Sequence, residues 1–177
     1  YEDWATIERF QKTRGVLRLM AAVVHNLWMN QDGGLLIMPG SVSLDVSNIR
    51  DELTRHVGEN WNAIVDHEVD GKSSIPYQKD QEIPRFGKLM AARRVARTIM
   101  LGSAPSTRSD SIRGLETSRI RLGAVQPGEN LATFNAALNT LQSSLTYLYS
   151  NPSNDRFWYD TRPTLRKTVE DRASQRS

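Results

Sequence analysis

The sequence predicts a mainly α-helical fold with a small β-hairpin, in the α+β class. Three observations support this: apolar residues recur at three- and four-residue steps, two short alternating segments flank a turn near the C-terminal end, and turn-forming residues separate these segments. With 177 residues, of which 38% are hydrophobic and 24% charged, the chain is long enough for one ordinary domain or two small modules.

Helical spacing dominates the first half of the chain. The apolar pattern predicts a helix over 15–29 that ends at the turn 32–34, and the run 35–38 then predicts a short buried strand before Pro39. Two further helices are expected, one from Ser47 through His56 with Gly58 as its stop, and one over 59–67.

The middle of the chain alternates between polar and helical patterns. Residues 69–84 contain Gly, Pro, Ser and many charges, which is typical of an exposed loop. The apolar spacing returns over 86–101 and predicts a helix. Residues 102–114 are rich in Ser and Gly, so they are the best candidate for a linker.

After the linker the elements follow a compact order. A short helix over 115–125, a helix that starts after the capping residue Asn130, and strands at 146–150 and 156–160 are predicted, with a closing helix from Pro163 through Arg172. Helix, turn, helix and hairpin is the order of a winged helix. The chain therefore divides into a helical segment with a short strand (1–101), a linker (102–114) and a winged-helix-like module (115–177).

Charge is unevenly distributed although the net charge is only +3. Residues 41–84 carry nine acids against four bases, a net −5, whereas residues 85–121 carry nine bases against two acids, a net +7. Such a division indicates either an intramolecular charge match or a local site for a polyanion, with solvated faces of opposite sign as the simplest alternative.

Independent catalysis is not expected from this sequence. The stretch Gly71-Lys72-Ser73 looks like the end of a P-loop, but Asp66 stands where the first glycine should be. The three histidines have no spacing typical of a metal site, so no metal is expected. The absence of cysteine excludes disulfides and thiolate ligands.

The start of the sequence predicts a piece of a longer protein, and the absence of cysteine is compatible with a cytoplasmic one. The chain starts at Tyr1 without a signal-like segment, so we expect it to be part of a longer chain. Its longest apolar run, 19–24, is too short to span a bilayer.

The residues Gly15-Val16-Leu17-Arg18 have the G-x-x-R form that resembles the second sensor of AAA+ ATPases. Together with the following stretches, the sequence resembles the C-terminal region of the large AAA+-type ATPases encoded beside DNA methyltransferases and helicases in bacterial and archaeal restriction or phage-defence islands. The stretches, in order, are RFQKTRGVLRLMAAVVHNLW, LLIMPGSVSLD, RRVARTIMLGSAPS, RIRLGAVQPGENLATFNAAL, TYLYSN and DRFWYDTRPTLRKTVEDRA.

This resemblance implies a role in the ATP site of the full-length protein. The helical segment would be lid-like, with Arg18 sensing the nucleotide and Arg14 as a second phosphate candidate. Arg93, Arg94 and Arg97 would be candidates for contacts to a neighbouring subunit's nucleotide, although such spacing is also common on a solvated helix face. ATP and Mg would be bound only by an ATPase domain upstream in the same chain, and a homo-oligomer or DNA-modification proteins are possible partners.

Two alternatives stay open at this point. A nucleic-acid-binding module would use the basic segment 85–121 through Arg93, Arg94, Arg97, Arg119 and Arg121. Against this, no Lys or Arg occurs between Leu122 and Asp155, where a winged helix would read DNA. A structural docking domain, in which the acidic segment 41–84 meets a basic partner, is the second alternative.

Overall fold

The computed structural model describes residues 14–54, 60–103 and 113–165. Within them eight α-helices surround a small antiparallel sheet, so the predicted mainly helical α+β class is confirmed. The α-helices are α1 (Arg14–Met29), α2 (Ser47–Thr54), α3 (Asn60–Ile64), α4 (Ile75–Glu82), α5 (Pro84–Gly87), α6 (Ala91–Ser103), α7 (Thr117–Ala124) and α8 (Leu131–Ser144). A 3₁₀ turn spans Pro39–Ser41, and a π-helical turn, Val65–Val69, directly follows α3.

The sheet has three strands in the order β1-β3-β2, where β1 is Leu115–Glu116, β2 is Leu148–Ser150 and β3 is Arg156–Tyr159. Both pairings are antiparallel, and Tyr149 lies opposite Trp158 with the two rings stacked at 5.8 Å. The predicted hairpin is therefore confirmed. The third strand is additional, because its two residues belong to the segment predicted as helix.

Helix α6 is the centre of the fold. It packs against α4, α7, α8, the 3₁₀ turn and β3, and ten of its thirteen residues are buried. Its apolar side chains join one core with residues from both sides of the predicted linker, among them Val23, Phe134 and Phe157. The helical segment and the module after it therefore share a core.

Local sequence signals explain several of the helix ends. Asn130 accepts a hydrogen bond from the backbone N–H of Ala132 at 2.8 Å and caps α8, as predicted. The helix predicted over 86–101 is interrupted, because Met90 adopts a φ of 50° and separates α5 from α6.

The prediction of an exposed loop over 69–84 is wrong. Ser74 accepts a hydrogen bond from the N–H of Tyr77 and caps α4, in which Pro76 occupies the first turn. Asp70, Ser74 and Asp80 are buried, and each of them forms hydrogen bonds inside the fold.

The prediction of a buried strand over 35–38 is also wrong. Leu35, Leu36 and Ile37 are about half or more exposed, and no strand is formed there. In place of a neighbouring strand, the side-chain amide of Gln126 accepts from the N–H of Leu36 at 3.0 Å and donates to its carbonyl at 2.6 Å. Apolar composition predicts burial, but these side chains keep about half or more of their surface exposed.

Some predictions fall on residues that the structure does not describe. These are the continuation of α2 through His56 to Gly58, most of the 102–114 linker and the closing helix through Arg172. Among the described residues, no helix is long and apolar enough to cross a membrane.

Candidate functional site

Helix α1 has two different faces. Gly15 and Val23 are buried on the side that packs against α2. On the opposite side lie Leu17, Met20, Val24 and Trp28, whose exposed fractions range from 43 to 80%. At 100° per residue these four side chains form one stripe along the helix, and we call it the outer stripe of α1.

The two predicted phosphate-sensing arginines lie on one side of this outer stripe, with Arg14 nearer to it than Arg18. Arg14 is exposed at the first turn of α1, and Arg18 lies one turn later with 59% of its side chain exposed. The Arg18 guanidinium contacts the Glu52 carboxylate of α2 at 3.3 Å. Both cations therefore stand on the surface, next to an apolar face that a partner can cover.

The arginines of α6 are placed differently. Arg97 is buried and forms a bidentate ion pair with Asp70, with Nε to Oδ2 at 2.7 Å and Nη2 to Oδ1 at 2.9 Å. Its Nη1 also donates to the carbonyl of Gly40. The interpretation of this residue as part of a solvated helix face is wrong, because its guanidinium is enclosed between α6, the 3₁₀ turn and the end of the π-helical turn.

Arg93 forms a second ion pair, in which the acid is buried and the arginine is partly buried. Its Nε donates to Asp80 at 3.0 Å, and its guanidinium lies 4.9 Å above the ring of Tyr77. Asp80 also accepts hydrogen bonds from the N–H groups of Ala92 and Arg93, so it caps the N-terminus of α6 from α4. The carboxylate thus holds two helices and one arginine together.

Arg94 forms the third ion pair of α6. It is buried, donates through Nη1 to Glu129 at 2.8 Å, and lies 5.0 Å above the ring of Phe134 in α8. Its Nη2 is buried and has no hydrogen-bond partner among the described residues. Two of the three pairs join the basic segment 85–121 to the acidic segment 41–84, so the charge division is at least in part an intramolecular match.

A polar cleft of about 750 Å³ lies between α1, the loop after it and the N-terminal half of α6. Arg93, Arg94 and Arg97 line it together with Lys88, Asp32 and Asp45. Because each of the three arginines is paired with a carboxylate, the cleft is not a strongly cationic surface. In this arrangement the arginines hold the walls of the cleft together.

The remaining predicted residues are dispersed. Arg119 is exposed on α7, and Arg121 donates to the side chain of Asn135 at 2.9 Å. Of the five arginines predicted for nucleic-acid contact, these two lie outside the three ion pairs of α6. The P-loop-like stretch ends in a turn that caps α4 and follows a π-helical turn instead of a strand. No group of three potential metal ligands occurs in the described ranges.

Sequence reasoning missed the acids that position these arginines. Asp70 and Asp80 were assigned to an exposed loop, and Glu129 lies 35 positions after Arg94. One signal was available for α4: Ser74 followed by Pro76 is a typical helix start. Spacing along the chain gave no means to match the acids with their arginines.

Asp80 predicts a specific pH dependence of stability. Burial raises the pKa of its carboxyl above the ordinary 3.8, and hydrogen bonds from Ala92 and Arg93 oppose that shift. The folded state therefore keeps this proton to higher pH than the unfolded state does. As the pH rises from the pKa of Asp80 in the unfolded chain to its higher pKa in the folded chain, wild type should lose free energy of unfolding relative to Asp80→Asn. Urea unfolding of both proteins from acid to neutral pH measures this difference, and a relative gain with rising pH would contradict it.

Fold and site together define a small α+β domain. It contains a cluster of arginines paired with acids of the same chain, and a surface helix with an exposed apolar face. Comparison with family models matches residues 2–159 to the DUF499 second domain, and the chain belongs to this family. The searches of curated proteins and of solved structures found no match.

Proposed function

We propose that this chain is the non-catalytic lid and winged-helix-like region of an AAA+-type ATPase, in which Arg18 completes and senses the ATP site of a neighbouring domain. The observation that carries the proposal is the placement of Arg18. Its side chain is 59% exposed, and it lies on a surface helix with Arg14 one turn before it.

Arg18 is able to exchange partners at small cost. An ion pair between exposed groups is worth about 0–1 kcal/mol, so the 3.3 Å contact with Glu52 holds Arg18 only weakly. A phosphate offers the same guanidinium two parallel charge-assisted hydrogen bonds. Since α1 contains no acidic residue, Glu52 of α2 is the carboxylate against which a phosphate would compete.

The wider context favours a neighbouring domain as the nucleotide holder. The family is described as a second domain, which supports a further domain in the same polypeptide. ATP and Mg would be bound there, and Arg18 and Arg14 would reach the phosphates from this chain. The resemblance to ATPases of restriction and phage-defence islands favours DNA or DNA-modification proteins as partners, in the cytoplasm.

The test is Arg18→Ala in the full-length protein. The substitution removes both charge-assisted hydrogen bonds to the phosphate. Each of them is worth about 1.5–3 kcal/mol, so ATP turnover should fall by at least about 10-fold. The preference for ATP over ADP should fall as well, as measured by competition with a fluorescent nucleotide. Lys72→Ala is the control, because it removes an exposed cation from the α4 cap region, away from α1. Unchanged turnover and unchanged ATP/ADP discrimination in Arg18→Ala would refute the sensor role.

A further inference from the structure

The outer stripe of α1 continues into an apolar groove. The groove has a volume of about 500 Å³ and is lined by Val24, Leu27 and Trp28 of α1 and by Leu36 and Ile37 of the loop after it. Trp28 is 80% exposed at its edge. Monomeric proteins rarely expose contiguous apolar surface of this kind, so a partner is expected to cover it.

We propose that the partner is a second copy of this chain, bound through an antiparallel pair of α1 helices related by a two-fold axis. This inference does not rest on the sensor role of Arg18, which lies about a third of a turn around the helix from the outer stripe. In the dimer, Arg14 contacts the partner helix and leaves the phosphate to Arg18. A two-fold interface requires a self-complementary surface. The stripe meets this requirement in one register.

The register follows from the positions of the apolar side chains. When the two-fold axis passes between positions 22 and 23, Leu17 lies opposite the partner's Trp28. Met20 then lies one residue away from the position opposite the partner's Val24. Each Leu17 then lies beside the partner's groove. The small side chain of Ala21, which is exposed on the same side of α1, allows the two helices to approach closely at the crossing.

Charge selects the antiparallel orientation. Helix α1 contains Arg14 and Arg18 near its N-terminus and no acid, so a parallel pair would bring four guanidinium groups together. In the antiparallel pair, Arg14 lies beside the C-terminal end of the partner's α1, where the partial negative charge of the helix dipole and the partner's Asp32 are found. This charge complementarity is the reason for choosing a second copy as the occupant.

Sedimentation equilibrium of the 177-residue chain tests the proposal. We expect a mass of about twice the 20.0 kDa of one chain at micromolar concentration. Met20→Glu/Val24→Glu should weaken the dimer by more than about a hundredfold, since each copy would bury two unpaired charges. Leu122→Glu is the matched control, because Leu122 is 72% exposed on α7 and lies outside α1. A monomer at all concentrations would overturn the proposal and would assign the stripe to another partner.

Cysteine cross-linking tests the register, because the natural chain contains no cysteine. Leu17→Cys/Trp28→Cys should form a disulfide-linked dimer on mild oxidation. Within one helix these positions are about 16 Å apart along the axis, which is too far for an internal bond. Leu17→Cys alone should stay unlinked, since position 17 of one copy and position 17 of the other lie at opposite ends of an antiparallel pair. Linkage of the single variant, or no linkage of the double variant, would overturn the antiparallel arrangement.

Discussion

Replacement of Arg97 with Met is expected to lower the free energy of unfolding by about 3–5 kcal/mol. The reason is the position of Asp70, which is 1% exposed and would lose its counter-ion and two charge-assisted hydrogen bonds inside the core. Methionine fills much of the volume of the arginine stem, so the loss reports mainly on the uncompensated carboxylate. Urea unfolding followed by circular dichroism measures it.

The size of this effect follows from the number of groups that meet at Asp70. Its carboxylate accepts two hydrogen bonds from Arg97 and one each from the backbone N–H groups of Leu44 at 2.7 Å and Asp45 at 3.3 Å. Arg97 also donates to the carbonyl of Gly40. The pair therefore joins α6 to the residues that lead from the 3₁₀ turn toward α2. Loss of one partner disturbs several contacts at once.

A double variant separates charge from packing. Asp70→Asn/Arg97→Met should recover part of the loss, because the asparagine carbonyl oxygen can still accept from Leu44 while no net charge remains buried. Arg119→Met, at an exposed position, should change the free energy of unfolding by less than about 0.5 kcal/mol. A loss below about 1 kcal/mol for Arg97→Met would show that the buried pair contributes little.

The elements that could be predicted from the sequence are those whose signals are local. Helix α8 has a capping asparagine and a regular apolar stripe, and the hairpin has two alternating segments around a turn. Helix α4 has a capping serine but no apolar stripe, because its residues show almost no segregation of polar and apolar side chains. It is held by its cap and by Asp80, and the partners of Asp80 are about a dozen positions later.

The candidate site was predictable to the same extent. Exposure of Arg14 and Arg18 follows from their helix alone, and both arginines are indeed exposed. Burial of Arg94 and Arg97 does not follow from their own segment, since it depends on acids 35 and 27 residues away. Local spacing gave the same i, i+1, i+4 pattern that a solvated face would give, and only the folded chain distinguishes the two cases.

Replacement of Glu68 with Ala is the second large expected effect. Glu68 is buried in the π-helical turn, and its carboxylate accepts hydrogen bonds from the backbone N–H groups of Thr146 and Tyr147 at 2.9–3.0 Å. Both amides lie just before β2. A fully buried donor left without an acceptor costs about 1–3 kcal/mol. Because both amides belong to partly buried residues, Glu68→Ala should lower the free energy of unfolding by about 2–4 kcal/mol, below the upper limit for two such donors.

Hydrogen exchange can show whether this loss of stability comes from the hydrogen bonds between Glu68 and the amides of Thr146 and Tyr147. The amides of Thr146 and Tyr147 should exchange faster in Glu68→Ala than in wild type, beyond the change expected from lower global stability. Tyr159→Phe is a matched comparison, since it removes the hydroxyl that donates to the Glu68 carbonyl at 3.0 Å and leaves the carboxylate in place. It should cost about 1–2 kcal/mol without selective exposure of the two amides.

A surface acid provides the remaining control. Glu82→Ala removes a carboxylate that is 57% exposed and paired with Lys79 of the same helix, so its effect should stay below about 0.5 kcal/mol. If Glu68→Ala were as mild as Glu82→Ala, the two amides would have to find water or another acceptor. The π-helical turn would then be joined to the sheet mainly by apolar packing and by the Tyr159 hydroxyl, instead of by a buried carboxylate.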